Sequence, residues 1–197
     1  MRWKSQDRFG TAGLRDRFPN AALTGVQGVG AVVVLGFLAQ LSEGFIAFGA
    51  LGATAFLQMA TPLVAPASPR NTIVGHSVAF SAGVTGLAIF GLSDAGRALP
   101  GEIGADRVAA VAFALGVTMA VLIAFDRQHL AAGASTVAIA LGEVDDYLVT
   151  AMGVLLLTLY SFLTNRLRGI PYPKWAPPPG PGAGGGLHAA PEPDRSA

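Results

Sequence analysis

The chain has 197 residues, of which 52% are hydrophobic and 13% charged, with a net charge of +1 and a mean hydropathy of +0.52. An ordinary soluble domain carries about 25% charged residues, so the composition excludes the water-soluble globular class and points to a membrane protein. Cysteine is absent, which excludes disulfides, thiolate nucleophiles and cysteine-held metals.

The start of the chain, with Arg2, Lys4, Arg8, Arg15 and Arg17, is too long and too mixed in charge for a signal peptide, so no cleavage is expected. Residues 23–41, LTGVQGVGAVVVLGFLAQL, come close to the roughly 20 apolar residues that cross a bilayer core. Residues 45–59, FIAFGALGATAFLQM, form a second and shorter segment. Residues 73–92, IVGHSVAFSAGVTGLAIFGL, again have spanning length, with Asn71 where a helix N-cap would be and Pro69 just outside. A polar connector follows, in which Asp106 is placed to cap residues 108–125, VAAVAFALGVTMAVLIAF. Residues 130–141, LAAGASTVAIAL, have the length of a half-helix rather than a full span. Residues 147–163, YLVTAMGVLLLTLYSFL, complete the set. From Gly169 onward proline and glycine dominate, and a disordered tail is expected.

The predicted fold is all-α, a polytopic transmembrane helical bundle of four full spans plus two short Gly-Ala-Ser/Thr segments. Six crossings, arranged as two three-segment repeats, are the alternative. One transmembrane domain is expected over residues 23–168, between a cytoplasmic segment at 1–22 and the tail at 169–197. Lys and Arg gather before the first segment and, as Arg166, Arg168 and Lys174, after the last. Such clusters favour the cytoplasmic side, so both termini are expected inside, in a plasma membrane. Arg97 and Arg107 are the exceptions, on the outer side.

The segments GALGATAF at 49–56 and LAAGASTV at 130–137 share a pattern, and each stands second in a group of three. That order suggests two halves inverted relative to each other. Gly, Ala, Ser and Thr allow close helix packing, while the broken helices of transporters aim their amides at anionic substrates. Gly52, Ala53 and Thr54, with Gly133, Ala134 and Ser135, therefore serve either packing or an anion site.

Arg70 and Asn71 are explained at the start of the third segment by snorkelling and capping. His76 lies one turn inside that segment, where ionisable groups usually face a cavity or partner. His129, at the start of the short half-helix, is a terminal polar group or an anion donor. His76, His129 and Asp126 lack metal-site spacing, so no metal is expected. No phosphate loop, nucleophilic triad or basic patch for nucleic acid is present. The expected partners are membrane lipids and a small inorganic anion, with no nucleic acid and no cofactor. Homo-oligomerisation stays open.

The stretches FGALGATAFLQMATPLVAPASPRNTIVGH and HLAAGASTVAIAL resemble the HPP family of integral membrane proteins. There a Gly-Ala-Ser/Thr segment leads into Pro-x-Asn-x-x-x-Gly-His, and a later His-Pro-Pro-Ala-Gly-Ala stretch names the family. The match covers residues 23–163. Pro69, Asn71, Gly75 and His76 fit the first motif, and His129, Ala132, Gly133 and Ala134 fit the second. The two naming prolines are replaced by Leu130 and Ala131. The resemblance implies four transmembrane helices and a transport activity, with plastid members implicated in nitrite transport. On that reading the chain is a transporter of a small, nitrite-like anion and not an enzyme. His76 and His129 would contact the anion, with Arg70 and Asn71 at the inner mouth. The alternative is a non-transporting scaffold or accessory subunit.

Overall fold

Apolar chain in hydrocarbon must satisfy each backbone N–H and C=O internally, and a helix does so within one segment. The computed structural model describes residues 14–40, 48–99, 101 and 103–176. Among them all long elements are helical: α1 (Leu14–Gln40), α2 (Phe48–Ala60), α3 (Pro69–Ile89), α4 (Ala105–Ala124), α5 (Leu130–Ala140) and α6 (Tyr147–Leu167), with one 3-10 turn at Ala65–Ala67. Four stretches are long and apolar enough to cross a membrane: Phe18–Gln40, Pro69–Ile89, Ala105–Ala124 and Tyr147–Leu167. At 1.5 Å per residue, α2 and α5 reach only about 20 and 16 Å. The all-helical bundle of four spans and two short segments is thus present.

Side-chain contacts fix the direction of each helix. Thr54 meets His76 while Gln58 meets Thr72, so α2 and α3 are antiparallel. Gly75 abuts His129 while Gly83 abuts Ile139, so α3 and α5 run parallel. Gly86 lies against Ala110 whereas Ala79 clusters with Leu122, which makes α4 antiparallel to α3. Leu51 touches Gly153 and Gln58 touches Thr158, so α6 runs with α2. Tyr160 reaches Gln27 while Gly153 faces Leu38, so α1 opposes α6. Direction therefore alternates through all six helices, and the short ones pass through the bundle instead of doubling back.

The packing also carries the repeat. Exchanging α1 with α4, α2 with α5 and α3 with α6 converts each principal helix pair into another. Thus α1–α2 becomes α4–α5, α1–α6 becomes α4–α3, and α2–α6 becomes α5–α3, while α2–α5 and α3–α6 map onto themselves. Because α1 and α4 run in opposite directions, the halves are inverted. Leu35, Leu51, Met59, Val154 and Leu157 fill the space between α1, α2 and α6. Phe37, Phe56, Leu148 and Leu155 remain on the outer surface, as a lipid-facing side requires.

Several boundaries differ from the sequence reading. Helix α1 begins at Leu14, so residues 14–22 are already helical ahead of the expected start at 23. Leu41 and residues 45–47 lie outside the described residues. The N-cap of α3 is Ser68, whose hydroxyl accepts from Asn71 N–H at 3.4 Å, and Pro69 is the first helical residue. Proline suits that position because its missing N–H would have no intrahelical partner. Asp106 falls in the first turn of α4, after the cap Gly104. Asp146 caps α6, its carboxylate accepting from Val149 N–H at 2.9 Å.

The fold also continues past Gly169, where a disordered tail was expected. Tyr172 is 0% exposed, its hydroxyl donates to Ala67 O at 2.5 Å, and Arg70 N–H donates to Trp175 O at 3.0 Å. Burying a ring and closing two hydrogen bonds offsets the ordering entropy that the Pro/Gly composition suggested would win. Residues 177–197 lie outside the described residues.

Arg107, an exception to the charge rule, has a structural task. Its guanidinium donates to Ala140 O at 3.3 Å and to Gly96 O at 2.9 Å. A cation at the carbonyl end of α5 satisfies orphan acceptors and the negative end of the helix dipole.

Candidate functional site

The two histidines that the sequence separates by 53 positions come together. The His76 and His129 rings lie 5.0 Å apart, centroid to centroid, in an edge-on arrangement. Both are buried, with Thr54 and Ser135 beside them. Thr54 Oγ1 is 2.8 Å from His76 Nε2 and 3.4 Å from His129 Nε2. Ser135 Oγ is 2.8 Å from His76 Nδ1. The hydroxyls of the two repeated motifs, one on α2 and one on α5, thus hold opposite nitrogens of one imidazole.

Local structure explains the placement. Gly75 lets the start of α5 close on α3: a Cβ there would stand 2.7 Å from His129 Cβ. His129 is the residue before α5, in extended conformation. Its Nδ1 donates to Pro66 O at 2.8 Å, since a carbonyl only accepts. Asn71 Nδ2 donates to Gln128 O at 3.3 Å, tying the α4–α5 connector to the start of α3. Asn71 is therefore a positioning residue for His129 and not the cap of its own helix.

Counting protons gives the centre its chemistry. Thr54 has one hydroxyl proton, and Ala50 O at 3.1 Å and the two imidazole Nε2 atoms all lie within its reach. In one tautomer His76 donates from Nε2 to Thr54 Oγ1 and accepts at Nδ1 from Ser135 O–H; in the other both directions reverse. With its proton on Nδ1, a neutral His129 turns its Nε2 lone pair toward Thr54 Oγ1, an acceptor for that hydroxyl at 3.4 Å. The Thr54 hydroxyl is thus shared between the two imidazoles.

The remaining predicted residues are placed differently. Gly52 and Gly133 are half-buried, and Ala53 and Ala134 are exposed. They sit beyond the first turn of α2 and at or beyond the end of the first turn of α5, where N–H groups are taken up by the helix. Side chains, not amides, thus form the centre. Gly133 and Ala134 line an outer groove with Phe48, Gly49 and Val137. Arg70 is half-buried in the first turn of α3, its backbone bonded to the segment after α6. Among the described residues no group of three or more His, Cys, Asp or Glu is placed to hold a metal.

Sequence reasoning missed Pro66 and a second polar cluster. Gln58 Nε2 donates to Thr72 Oγ1 at 3.0 Å and Thr158 Oγ1 at 3.4 Å, and Asn165 Nδ2 donates to Gln58 O at 3.0 Å. The available signal was Thr158, Ser161 and Asn165 at helical spacing in an otherwise oily α6.

The family profile described as HPP, transmembrane region, matches residues 15–173. The chain belongs to the HPP family. No curated protein and no solved structure matches it significantly. The end of the family match falls just after Tyr172, the buried anchor beyond α6. The absent prolines of this HPP chain occupy the first two positions of α5, Leu130 and Ala131. Leu130 is 76% exposed. Neither position needs a proline for the helix to start, because His129 already stands before it in extended conformation.

Proposed function

We propose that this HPP protein carries a small inorganic anion, with nitrite the first candidate, and acts as a carrier rather than an enzyme. The observation that supports the reading is the buried contact of two imidazoles with two hydroxyls, contributed by α2, α3, α5 and the connector before α5. Ionisable groups at membrane depth are costly and generally functional. The exchangeable groups of this centre are N–H and O–H donors, which suit an anion. Described carboxylates stand elsewhere: Asp94, Asp106, Asp126, Glu143, Asp145 and Asp146 lie in connectors or a first turn. The donors are now engaged with one another, a closed arrangement that an arriving anion would open by taking over the His76 contacts. Two inverted halves provide a frame for alternating exposure, with both termini on the cytoplasmic side of a plasma membrane.

The Ser135–His76 pair could suggest a nucleophile and base. Ser135 is the sixth residue of α5, so its own N–H belongs to the helix and cannot form an oxyanion hole. That favours the carrier.

The test is nitrite uptake into liposomes holding the purified protein, compared with empty liposomes and the His76→Ala variant, with formate and nitrate as competitors. The expected result is protein-dependent uptake that falls by at least tenfold in His76→Ala while the inserted amount stays the same. If folded protein takes up none of the three anions, the carrier reading fails. The glycine contacts between α3 and α5 would then serve helix association alone.

A further inference from the structure

We propose a second, cationic site: sodium binds in the polar cluster between α2, α3 and α6, one helical turn from the histidine centre. Gln58 follows Thr54 by four residues on α2, so it lies on the same face about 6 Å along the axis. Gln58, Thr72, Ser161 and Asn165 are all 0% exposed. Three polar atoms in this cluster have no hydrogen-bond partner: Gln58 Oε1, Ser161 Oγ and Asn165 Oδ1. Leaving such groups unsatisfied costs about 1–3 kcal/mol each, so three together call for a ligand.

The three belong to facing turns of α2 and α6. Thr158, Ser161 and Asn165 recur at intervals of three and four, one face of α6. Both ends of that stripe are bonded to the same residue, Thr158 to the Gln58 side chain and Asn165 to its backbone carbonyl. Ser161 stands between them on that face and is fully buried.

Chemistry selects the ligand. Gln58 Nε2 has spent both of its protons and Asn165 Nδ2 one of its two, so two of the three leftover atoms are acceptors only and the third is a hydroxyl oxygen. An anion would find only the Ser161 hydroxyl and one Asn165 N–H as donors, against two carbonyl oxygens that repel it. Divalent ions demand carboxylates, and softer metals demand imidazole or thiolate. A small alkali cation takes neutral oxygens, and it is further favoured by the negative end of the α2 dipole. Arg70 stands two positions from Thr72, about 200° around α3, and faces away. The role of the ion as a coupling partner for the anion rests on the carrier reading; the site itself does not.

The experiment measures the thermal midpoint of the purified full-length protein in detergent at constant ionic strength in sodium, potassium or choline chloride. Sodium at 100 times its Kd is expected to raise the midpoint by about 5 °C or more over choline. Ser161→Ala removes an unpartnered hydroxyl, so it is expected to melt no lower than wild type in choline while losing the sodium-specific rise. Sodium-22 binding to both proteins supplies a direct measurement: wild type binds and the variant does not. Equal midpoints in all three salts, or an unchanged sodium rise in Ser161→Ala, would overturn the site and leave the cluster to water. A sodium shift without nitrite uptake sinks the carrier alone; uptake without the shift sinks the cation site alone.

Discussion

Replacing Gly75 by alanine tests whether the histidine centre depends on the close approach of α5 to α3. The added Cβ would lie 2.7 Å from His129 Cβ and 3.3 Å from Ala132 Cβ, where ordinary contact begins at 3.4 Å. Both obstacles are anchored directly to backbone, so no flexible side-chain end can swing aside. The start of α5 must withdraw by about 0.7 Å, the difference between 3.4 and 2.7 Å. Overpacking of this kind costs about 1–3 kcal/mol, which in a chain of this size lowers the thermal midpoint by about 2–12 °C. Withdrawal also lengthens the 3.4 Å contact between His129 Nε2 and Thr54 Oγ1 beyond hydrogen-bonding range. Gly52→Ala is the matched control, because nothing lies within 4 Å of its added Cβ. There the helix gains about 0.5–1 kcal/mol, and the midpoint stays level or rises. The assay is a melting curve in detergent for both variants, followed by nitrite uptake. If Gly75→Ala melts like Gly52→Ala and keeps its uptake, the argument from close approach is wrong.

Three further outcomes are expected. Tyr172→Phe deletes the hydroxyl bonded to Ala67 O and lowers the midpoint by about 2–4 °C, the effect of roughly 1 kcal/mol; a chain stopped after Arg168 melts lower still. Arg107→Met leaves Ala140 O and Gly96 O without their charged donor, at about 1.5–3 kcal/mol, and isosteric size leaves packing a small part of the loss seen by melting. Asp126, the one non-glycine among the described residues with positive φ, at 52°, ends α4 with Arg127 N–H on Leu122 O and its own N–H on Ile123 O. The equivalent positions after α3, α5 and α6 are Gly91, Gly142 and Gly169. Asp126→Gly therefore raises the midpoint by about 2–4 °C, since a left-handed backbone costs a side-chain-bearing residue about 1 kcal/mol; an unchanged or lower midpoint would count against that reading.

Hydropathy and length made the six helices legible, because lipid leaves an apolar chain few other ways to satisfy its backbone. The repeat was legible in Gly-Ala-Thr and Gly-Ala-Ser, and both hydroxyls, Thr54 and Ser135, reach the centre. Their role was not, because sequence spacing says which residues share a helix face and not which face meets which neighbour. His76 and His129 were visible as polar residues out of place, yet their pairing depends on Gly75 and on Asn71 holding Gln128. Caps were misplaced by two or three residues: Ser68 competes with Asn71, and Gly104 precedes Asp106. Tyr172 was hidden by the prolines and glycines around it, since average composition says little about one ring with a pocket waiting for it.

The contacts of Tyr172 and Trp175 bear on how the protein is made. Synthesis runs from the N-terminus, so the turn that carries Pro66 and Ala67 leaves the ribosome more than a hundred residues before the tyrosine that fastens it. Pro66 is the acceptor that orients His129, and its neighbour Ala67 is the residue Tyr172 holds. Each helix can enter the bilayer in turn, but the histidine centre receives its last support only when the chain beyond α6 has emerged. The end of the family region thus acts as a closing latch on assembly, and a chain that stalls within α6 would sit in the membrane with its centre unfinished.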